Sequence, residues 1–102
     1  MSVSVNWRAA GEGRFEVAGA LDLHTVGTLL SQGEKAFPAS GAVAVDLSGV
    51  ERVDSAGVAL LLEWARVARR RGLRLTYSRM PPRALALARI GNAETLLPIS
   101  EG

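Results

Sequence analysis

The residues best placed to do chemistry form one short stretch, Asp54-Ser55-Ala56-Gly57, which directly precedes a strongly apolar helical pattern. The start of a helix exposes free backbone amides and the positive end of the helix dipole, so this stretch is suited to hold an anion. Ala56 and Gly57 have little side chain, and a partner could therefore approach the backbone. Ser55 is then a helix cap, a phosphate acceptor or part of a docking surface, and a cap is the most common role of such a serine.

A catalytic role for Ser55 has little support in the rest of the sequence. A serine nucleophile needs a neighbouring base, and His24 is the only histidine. The G-x-S-x-G elbow, the GxxxxGK[ST] phosphate loop and any diagnostic spacing of metal ligands are absent. Three aspartates, Asp22, Asp46 and Asp54, are weak evidence for acid–base catalysis by themselves. We therefore predict a protein that is not an enzyme and has no catalytic residue, cofactor or metal site.

The composition predicts one globular domain. The chain has 102 residues, of which 48% are apolar and 22% charged, which is enough for a modest core and argues against disorder. There is no cysteine, which excludes disulfides and thiolate chemistry and fits a reducing compartment. No apolar run approaches the roughly 20 residues of a membrane helix, and the N-terminus has no signal-peptide pattern. We expect a cytoplasmic protein without direct membrane insertion.

The charge pattern gives little reason to expect a nucleic-acid ligand. The net charge is only +2, and aromatic residues make up 5% of the chain and are not interleaved with the arginines. Five arginines cluster late in the sequence, at Arg66, Arg69, Arg70, Arg71 and Arg74. Because Gly72 marks a helix stop, we interpret this cluster as the end of a helix, where cations meet the negative end of the dipole, in preference to a site for an acidic partner.

The elements that must position residues 54–57 are predicted in the order β-β-α-β-α-β-α. Alternating apolar residues predict an N-terminal β-hairpin. They are Val3, Val5 and Trp7 in the first strand and Phe15 and Val17 in the second. Residues 42–47 have apolar side chains on both faces, which predicts a central strand covered on both sides or nearly so. Residues 48–53 are predicted to cross over to the next helix.

Helical periodicity predicts three helices. They cover residues 22–37, with Asp22 as the N-cap, residues 55–71 and residues 83–90. A further strand is predicted over residues 73–78, and a last short turn or helix is expected to place Leu96 and Leu97 in the core. Because helical crossovers favour parallel pairing, the predicted fold class is α/β (α+β by some schemes). It has a mixed β-sheet with an N-terminal antiparallel hairpin and helices packed on it.

Two motifs resemble those of the STAS domain family, named for sulphate transporters and anti-sigma-factor antagonists. The stretch AVAVDLSGVERVDSAGVALLL, residues 42–62, is similar to the family pattern of an apolar strand ending in D-L-S, a crossover and D-S/T-x-G at a helix start. GALD, residues 19–22, is similar to the family's G-x-L-D at the end of the second strand. The resemblance covers nearly the whole chain, which implies a single STAS domain over residues 1–102.

The resemblance implies an interaction module and not an enzyme. The chain looks most like the stand-alone STAS subunit of the phospholipid ABC transporter that maintains outer-membrane lipid asymmetry. In that branch the subunit binds the transporter's cytoplasmic ATPase, and through it the permease, and supports assembly and activity. The implied location is cytoplasmic, peripheral to the inner membrane through the partner.

The alternative branch is the anti-sigma-factor antagonist, in which a partner anti-sigma kinase phosphorylates the motif serine. Ser55 is that position by resemblance, and the lipid-transport subunit often has threonine there. Both branches place the partner-binding surface at Ser55, Asp54, Ala56 and Gly57, with Asp22 on the same rim. We add Leu60 and Trp64 as contacts, because an aromatic residue on a surface stripe is a common interface anchor. The competing interpretation is that Trp64 covers the sheet as part of the core.

Overall fold

The order of the elements is the one that the sequence predicts. The computed structural model describes residues 5–100. Its strands are β1 (Val5–Gly11), β2 (Arg14–Leu21), β3 (Ala42–Val53) and β4 (Arg74–Ser78). Its helices are α1 (Val26–Ala36), α2 (Ser55–Arg70) and α3 (Pro82–Ile90), followed by a 3₁₀ turn at Glu94–Leu96. Within residues 5–100, no helix has the length and apolar character needed to cross a bilayer.

The four strands form one mixed sheet in the order β1-β2-β3-β4. β1 and β2 are antiparallel, whereas β2 with β3 and β3 with β4 are parallel pairs, so the predicted hairpin and mixed sheet are confirmed. Of the apolar alternation predicted for the first strand, Val3 and the side chains of Val5 and Trp7 lie outside the described residues.

One face of the sheet forms the core, and among residues 9–100 the side chains of the other face are exposed or half-buried at most positions. The buried side chains alternate along the strands: Phe15, Val17, Val43, Val45, Leu47, Leu75 and Tyr77. On the opposite face Ala42 and Thr76 are exposed, and Ala44 and Asp46 are half-buried. The prediction that β3 is covered on both sides is therefore wrong. Alanine is compatible with either environment, so the Ala-Val-Ala-Val pattern does not distinguish a half-buried strand from a fully buried one.

β3 is longer than predicted and includes the segment expected to cross over. Residues 48–53 continue as strand, with Gly49 opposite Ala18 and Val53 opposite Leu21 on β2. Two register irregularities interrupt this parallel ladder. A Cβ at Gly49 would come within 2.8 Å of the Ala18 Cβ, so glycine allows the close approach of the two strands. The polar composition of this segment hid the strand, because several of its side chains are exposed.

Two smaller predictions are also wrong. α1 begins at Val26 with Thr25 at the N-cap position, and not at Asp22. The Asp22 carboxylate does accept from a nearby amide, the His24 N–H, but within a turn that precedes the helix. The buried Thr25 hydroxyl ties this turn to β2 by donating to the Ala20 carbonyl oxygen at 2.8 Å. Near the C-terminus Leu97 is in the core, as predicted, but the Leu96 side chain is 53% exposed.

Candidate functional site

Asp54, and not Ser55, is the N-cap of α2. The Asp54 Oδ1 atom accepts a hydrogen bond from the Gly57 N–H at 3.0 Å, and the Asp54 carbonyl oxygen accepts from the Val58 N–H at 3.1 Å. The Asp54 N–H in turn donates to the Leu21 carbonyl oxygen at 3.1 Å, which fixes the start of α2 against the end of β2. Ser55 is the first residue of the helix, and it is exposed. The structure therefore excludes the capping interpretation of Ser55.

Gly57 allows α2 to lie close to the sheet, and it is buried and so does not form part of the surface. A Cβ at this position would overlap the Leu21 carbonyl oxygen and the Val53 side chain. Gly57 is buried and Ala56 is half-buried. The prediction that Gly57 contributes surface to a partner is corrected accordingly: its small size lets the helix start lie directly on the carboxyl ends of β2 and β3.

The turn between β2 and α1 lies beside the start of α2. The Asp22 Oδ1 atom accepts from the His24 N–H at 2.9 Å, and the Asp54 Oδ2 atom accepts from the Leu23 N–H at 3.4 Å. The Arg52 guanidinium lies 4.0 Å from the Asp22 carboxylate. These contacts bring the carboxylates of Asp22 and Asp54 to one edge of the domain.

A shallow open cavity of about 460 Å³ lies at this edge. It is lined by Asp22, Leu23, His24, Arg52, Val53 and Asp54. Leu23 is 73% exposed and contributes an apolar side chain among these charged groups. Leu23 and Arg52 are two residues of this edge that the sequence pattern did not predict. Leu23 falls within the helix predicted for residues 22–37, which begins only at Val26, and Arg52 falls within the predicted crossover, which is part of β3.

Leu60 and Trp64 are core residues and not partner contacts. Their side chains are 3% and 0% exposed. The Trp64 ring packs at 6.1 Å from that of Phe37 and lies directly over Gly33, where a Cβ would overlap the indole. α2 buries a wide arc because it lies between the sheet, α1 and α3. Trp64 is therefore a core residue, as the competing interpretation expects, and it contacts Phe37 and Gly33.

The charged groups that the structure describes at this edge are not arranged as a metal site. Within residues 5–100 there is no group of three or more side chains that could hold a metal ion. His24 lies in the turn before α1 with an exposed side chain. Asp46 is on the open face of the sheet, where the Ser48 N–H donates to it at 2.8 Å. This backbone hydrogen bond is the largest cause and lowers the pKa of Asp46 below its ordinary value. Burial acts in the opposite direction, and the Ser48 hydroxyl and the Arg79 charge add smaller lowering effects.

The fold is shared with solved structures of anti-sigma-factor antagonists. The unphosphorylated form of SpoIIAA matches 95% of this chain and 88% of its own, with a TM-score of 0.68 and 14% identity. An antagonist from Mycobacterium paratuberculosis matches 99% of this chain and 87% of its own, with a TM-score of 0.69 and 19% identity. At these identities the likeness concerns the fold alone.

Sequence comparison gives a more specific result. Over 92 residues the chain is 33% identical to the intermembrane phospholipid transport system binding protein MlaB of Escherichia coli (strain K12), covering 90% of this chain and 92% of that protein. The protein of the same name from Shigella flexneri gives the same values. The family model described as "Mlab, STAS domain" matches residues 6–98. The chain therefore belongs to the STAS domain family.

Proposed function

We propose that the chain is a non-catalytic accessory subunit of a phospholipid transport system and binds the ATPase of that system. The observation that carries the proposal is the 33% identity to a phospholipid transport binding protein over 90% of the chain. The docking surface is the edge formed by Asp22, Leu23, Asp54, Ser55 and Ala56. The chain is then cytoplasmic and peripheral to the inner membrane, where the ATPase and permease hold it.

The geometry of this edge favours a docking role. Asp54 is held by Leu21 on β2 and by Gly57 in α2, so the backbone that presents Ser55 is already ordered before binding. A preordered surface reduces the conformational entropy that association costs. The exposed Leu23 side chain supplies apolar area at the cavity that Asp54 also lines, and the carboxylates of Asp22 and Asp54 supply charge that can determine the partner's orientation. Binding to this edge would shift the ATPase population toward its assembled, active state.

A second candidate is a phosphorylation switch of the anti-sigma-antagonist type. It is favoured by the exposure of Ser55 at the first position of α2. A phosphate there would add a charge of about −1.5 to −2 next to the free amides of the first turn and the carboxylate of Asp54. The amides would stabilise that charge, and the carboxylate would make the surface strongly acidic. A partner that binds the unmodified surface would then dissociate.

The two candidates are distinguished by purifying the tagged chain from its native cells and analysing the complex by mass spectrometry. We expect the transporter ATPase and permease to co-purify and Ser55 to carry no phosphate. A histidine-kinase-like partner together with a phosphorylated fraction of the chain would contradict the transport proposal and support the switch.

A variant pair tests whether the Ser55 edge is the docking surface. Ser55→Ala should retain the ATPase, whereas Ser55→Asp should lose it, because a charge is introduced at a desolvated contact. Ser40→Asp is the control, since Ser40 is exposed in the loop before β3. Capture of the ATPase by Ser55→Asp as efficiently as by Ser40→Asp would show that docking uses another face.

A further inference from the structure

One edge of β3 is only partly paired. β3 has 12 residues, but its ladder with β4 extends only from the Ala42–Arg74 pair to the Asp46–Ser78 pair. Residues 49–53 pair with β2 on one side. Among the hydrogen bonds of residues 5–100, none joins the backbone of residues 49–53 to an element on the other side. The chain turns away from this edge at Arg79, which has a positive φ of 56°.

A groove runs along the same unpaired edge. It has a volume of about 390 Å³ and is lined by Val50, Glu51, Arg52, Val53, Pro81 and Arg83. Val50, Val53 and Pro81 make part of its lining apolar, and Arg52 and Arg83 are exposed. The wall opposite β3 is the start of α3, where Pro81 has no backbone N–H to offer to β3. The groove therefore lies where β4 would continue if it were longer.

We propose that this groove accepts an extended segment of a partner protein, which adds to β3 as a strand in the line of β4. We further assign to that segment an apolar side chain over Val50 and Pro81 and a carboxylate near Arg52 and Arg83. The proposal rests on the proposed function, because we attribute the segment to the same ATPase that covers Ser55. The groove is continuous with that docking edge: Val53 lines the groove and also the cavity beside Asp54.

The unpaired backbone groups of β3 favour an extended segment as the bound partner. Unpaired N–H and C=O groups of a strand are satisfied repeatedly by another strand, whereas a helix or a side-chain surface satisfies few of them. The six residues from 48 to 53 span about 20 Å at the usual rise per residue, which is enough for a short added strand. The charged side chains of Glu51 and Arg52 discourage non-specific pairing at this edge and so favour a partner with complementary charge.

The test uses the complex of this chain with the ATPase subunit of the same organism's phospholipid transporter, co-expressed and purified. Hydrogen–deuterium exchange is measured for single amides in the free chain and in the complex. We expect alternate amides of residues 48–53 to exchange at least about tenfold more slowly in the complex. Protection of residues 54–58 without any change in residues 48–53 would overturn the added strand and leave docking through Ser55 intact. Failure of the complex to form would overturn both.

Arg83→Glu tests the assigned carboxylate. An acidic residue in the first turn of α3 is favourable for the helix dipole, so this variant should fold normally. We expect its affinity for the ATPase to fall by about tenfold or more. Arg70→Glu is the matched control, because it reverses an exposed arginine at the far end of α2 and should bind as the unmodified chain does. Equal binding by the two variants would overturn the carboxylate assignment.

Sedimentation of the isolated chain tests whether a second copy of the chain, and not the ATPase, pairs with β3 in the groove. Two chains paired edge to edge would give a dimer that Arg83→Glu weakens. That result would overturn the proposal, whereas a monomer that binds the ATPase with protection of residues 48–53 supports it.

Discussion

The Gly57 N–H donates to the Asp54 carboxylate across the first turn of α2 at 3.0 Å. Because of this contact, capping of the helix and exposure to a partner belong to two different residues and not to Ser55 alone. Asp54 stabilises the helix start, and Ser55 is exposed beside it and makes no capping bond. A partner can therefore cover Ser55 without removing the cap of α2.

Substitution of Asp54 and substitution of Ser55 should change the free energy of unfolding by different amounts. Asp54→Ala removes the cap and should lower the free energy of unfolding by about 1 kcal/mol, within a range of about 0.5–2. Ser55→Ala should change it by less than about 0.5 kcal/mol, because it is an exposed residue without a capping bond. Urea unfolding of both variants gives the comparison. A larger loss for Ser55→Ala than for Asp54→Ala would contradict the assignment of the cap.

Two glycines of α1 should respond in opposite directions to the same substitution. Gly33 lies beneath the Trp64 indole, and Gly33→Ala forces the two apart, which should cost about 1–3 kcal/mol. Nothing lies within 4 Å of a Cβ at Gly27, so Gly27→Ala should stabilise the chain by about 0.5–1 kcal/mol. Thermal unfolding of the pair measures both effects. Similar shifts for both variants would show that helix propensity, and not the packing of Trp64, decides the outcome at Gly33.

The sequence was sufficient to predict the order of elements and the type of sheet. These depend on long apolar periodicities, such as the one in α2, and on the parallel pairing that helical crossovers favour. It was not sufficient to separate Ser55 from Asp54 as the cap. Both residue types are good N-caps, and the choice depends on the Leu21 carbonyl oxygen, which holds the Asp54 N–H in place.

The errors at residues 22–25 and 48–53 have one physical origin. Both segments are fixed by contacts that are distant in sequence or local to a turn, and not by periodicity. The Thr25 hydroxyl bonds to the Ala20 carbonyl oxygen in the turn that precedes α1, and pairing with β2 through Gly49 and Ala18 includes a polar segment in the sheet. Leu23 and Arg52 lie within these two segments, so the sequence pattern alone did not reveal their positions at the cavity beside Asp54.

Tyr77 links the edge strand β4 to the middle of α2. Its buried hydroxyl donates to the Leu61 carbonyl oxygen at 2.7 Å, and burial raises its pKa well above the ordinary value of 10.0. Tyr77→Phe should cost about 1 kcal/mol at neutral pH through the lost hydrogen bond. The folded state favours the neutral phenol, so its contribution is fully present below pH 10.0 and declines as the pH rises further.

The measurement for Tyr77 is urea unfolding of the chain and of Tyr77→Phe at neutral pH and at about pH 11, above the ordinary pKa of a tyrosine. Tyr77 is the only tyrosine in the chain, so the difference between the two proteins isolates its ionisation. We expect the difference in the free energy of unfolding between the two proteins to become smaller at the higher pH. A difference that stays constant would mean that the folded state does not favour the protonated hydroxyl.

Asp46 should make stability depend on pH at the acidic end. Its pKa is lowered from the ordinary 3.8, first by the Ser48 N–H, so the folded state favours the carboxylate. The stabilisation is therefore present above pH 3.8 and is lost as the pH falls through the lower folded value. Asp46→Asn should be less stable than the unmodified chain at neutral pH, and the difference should disappear in strong acid.

Arg79→Gln is the control for the cause of the Asp46 shift. Arg79 lies 3.5 Å from the Asp46 carboxylate on an exposed surface, and its charge has a smaller effect on the pKa than the Ser48 hydrogen bonds. Urea midpoints measured from neutral pH down to about pH 3, below the ordinary pKa of an aspartate, should show a weaker pH dependence of the difference for Arg79→Gln than for Asp46→Asn. The reverse order would mean that the ion pair, and not the backbone amide, holds the carboxylate in its charged form.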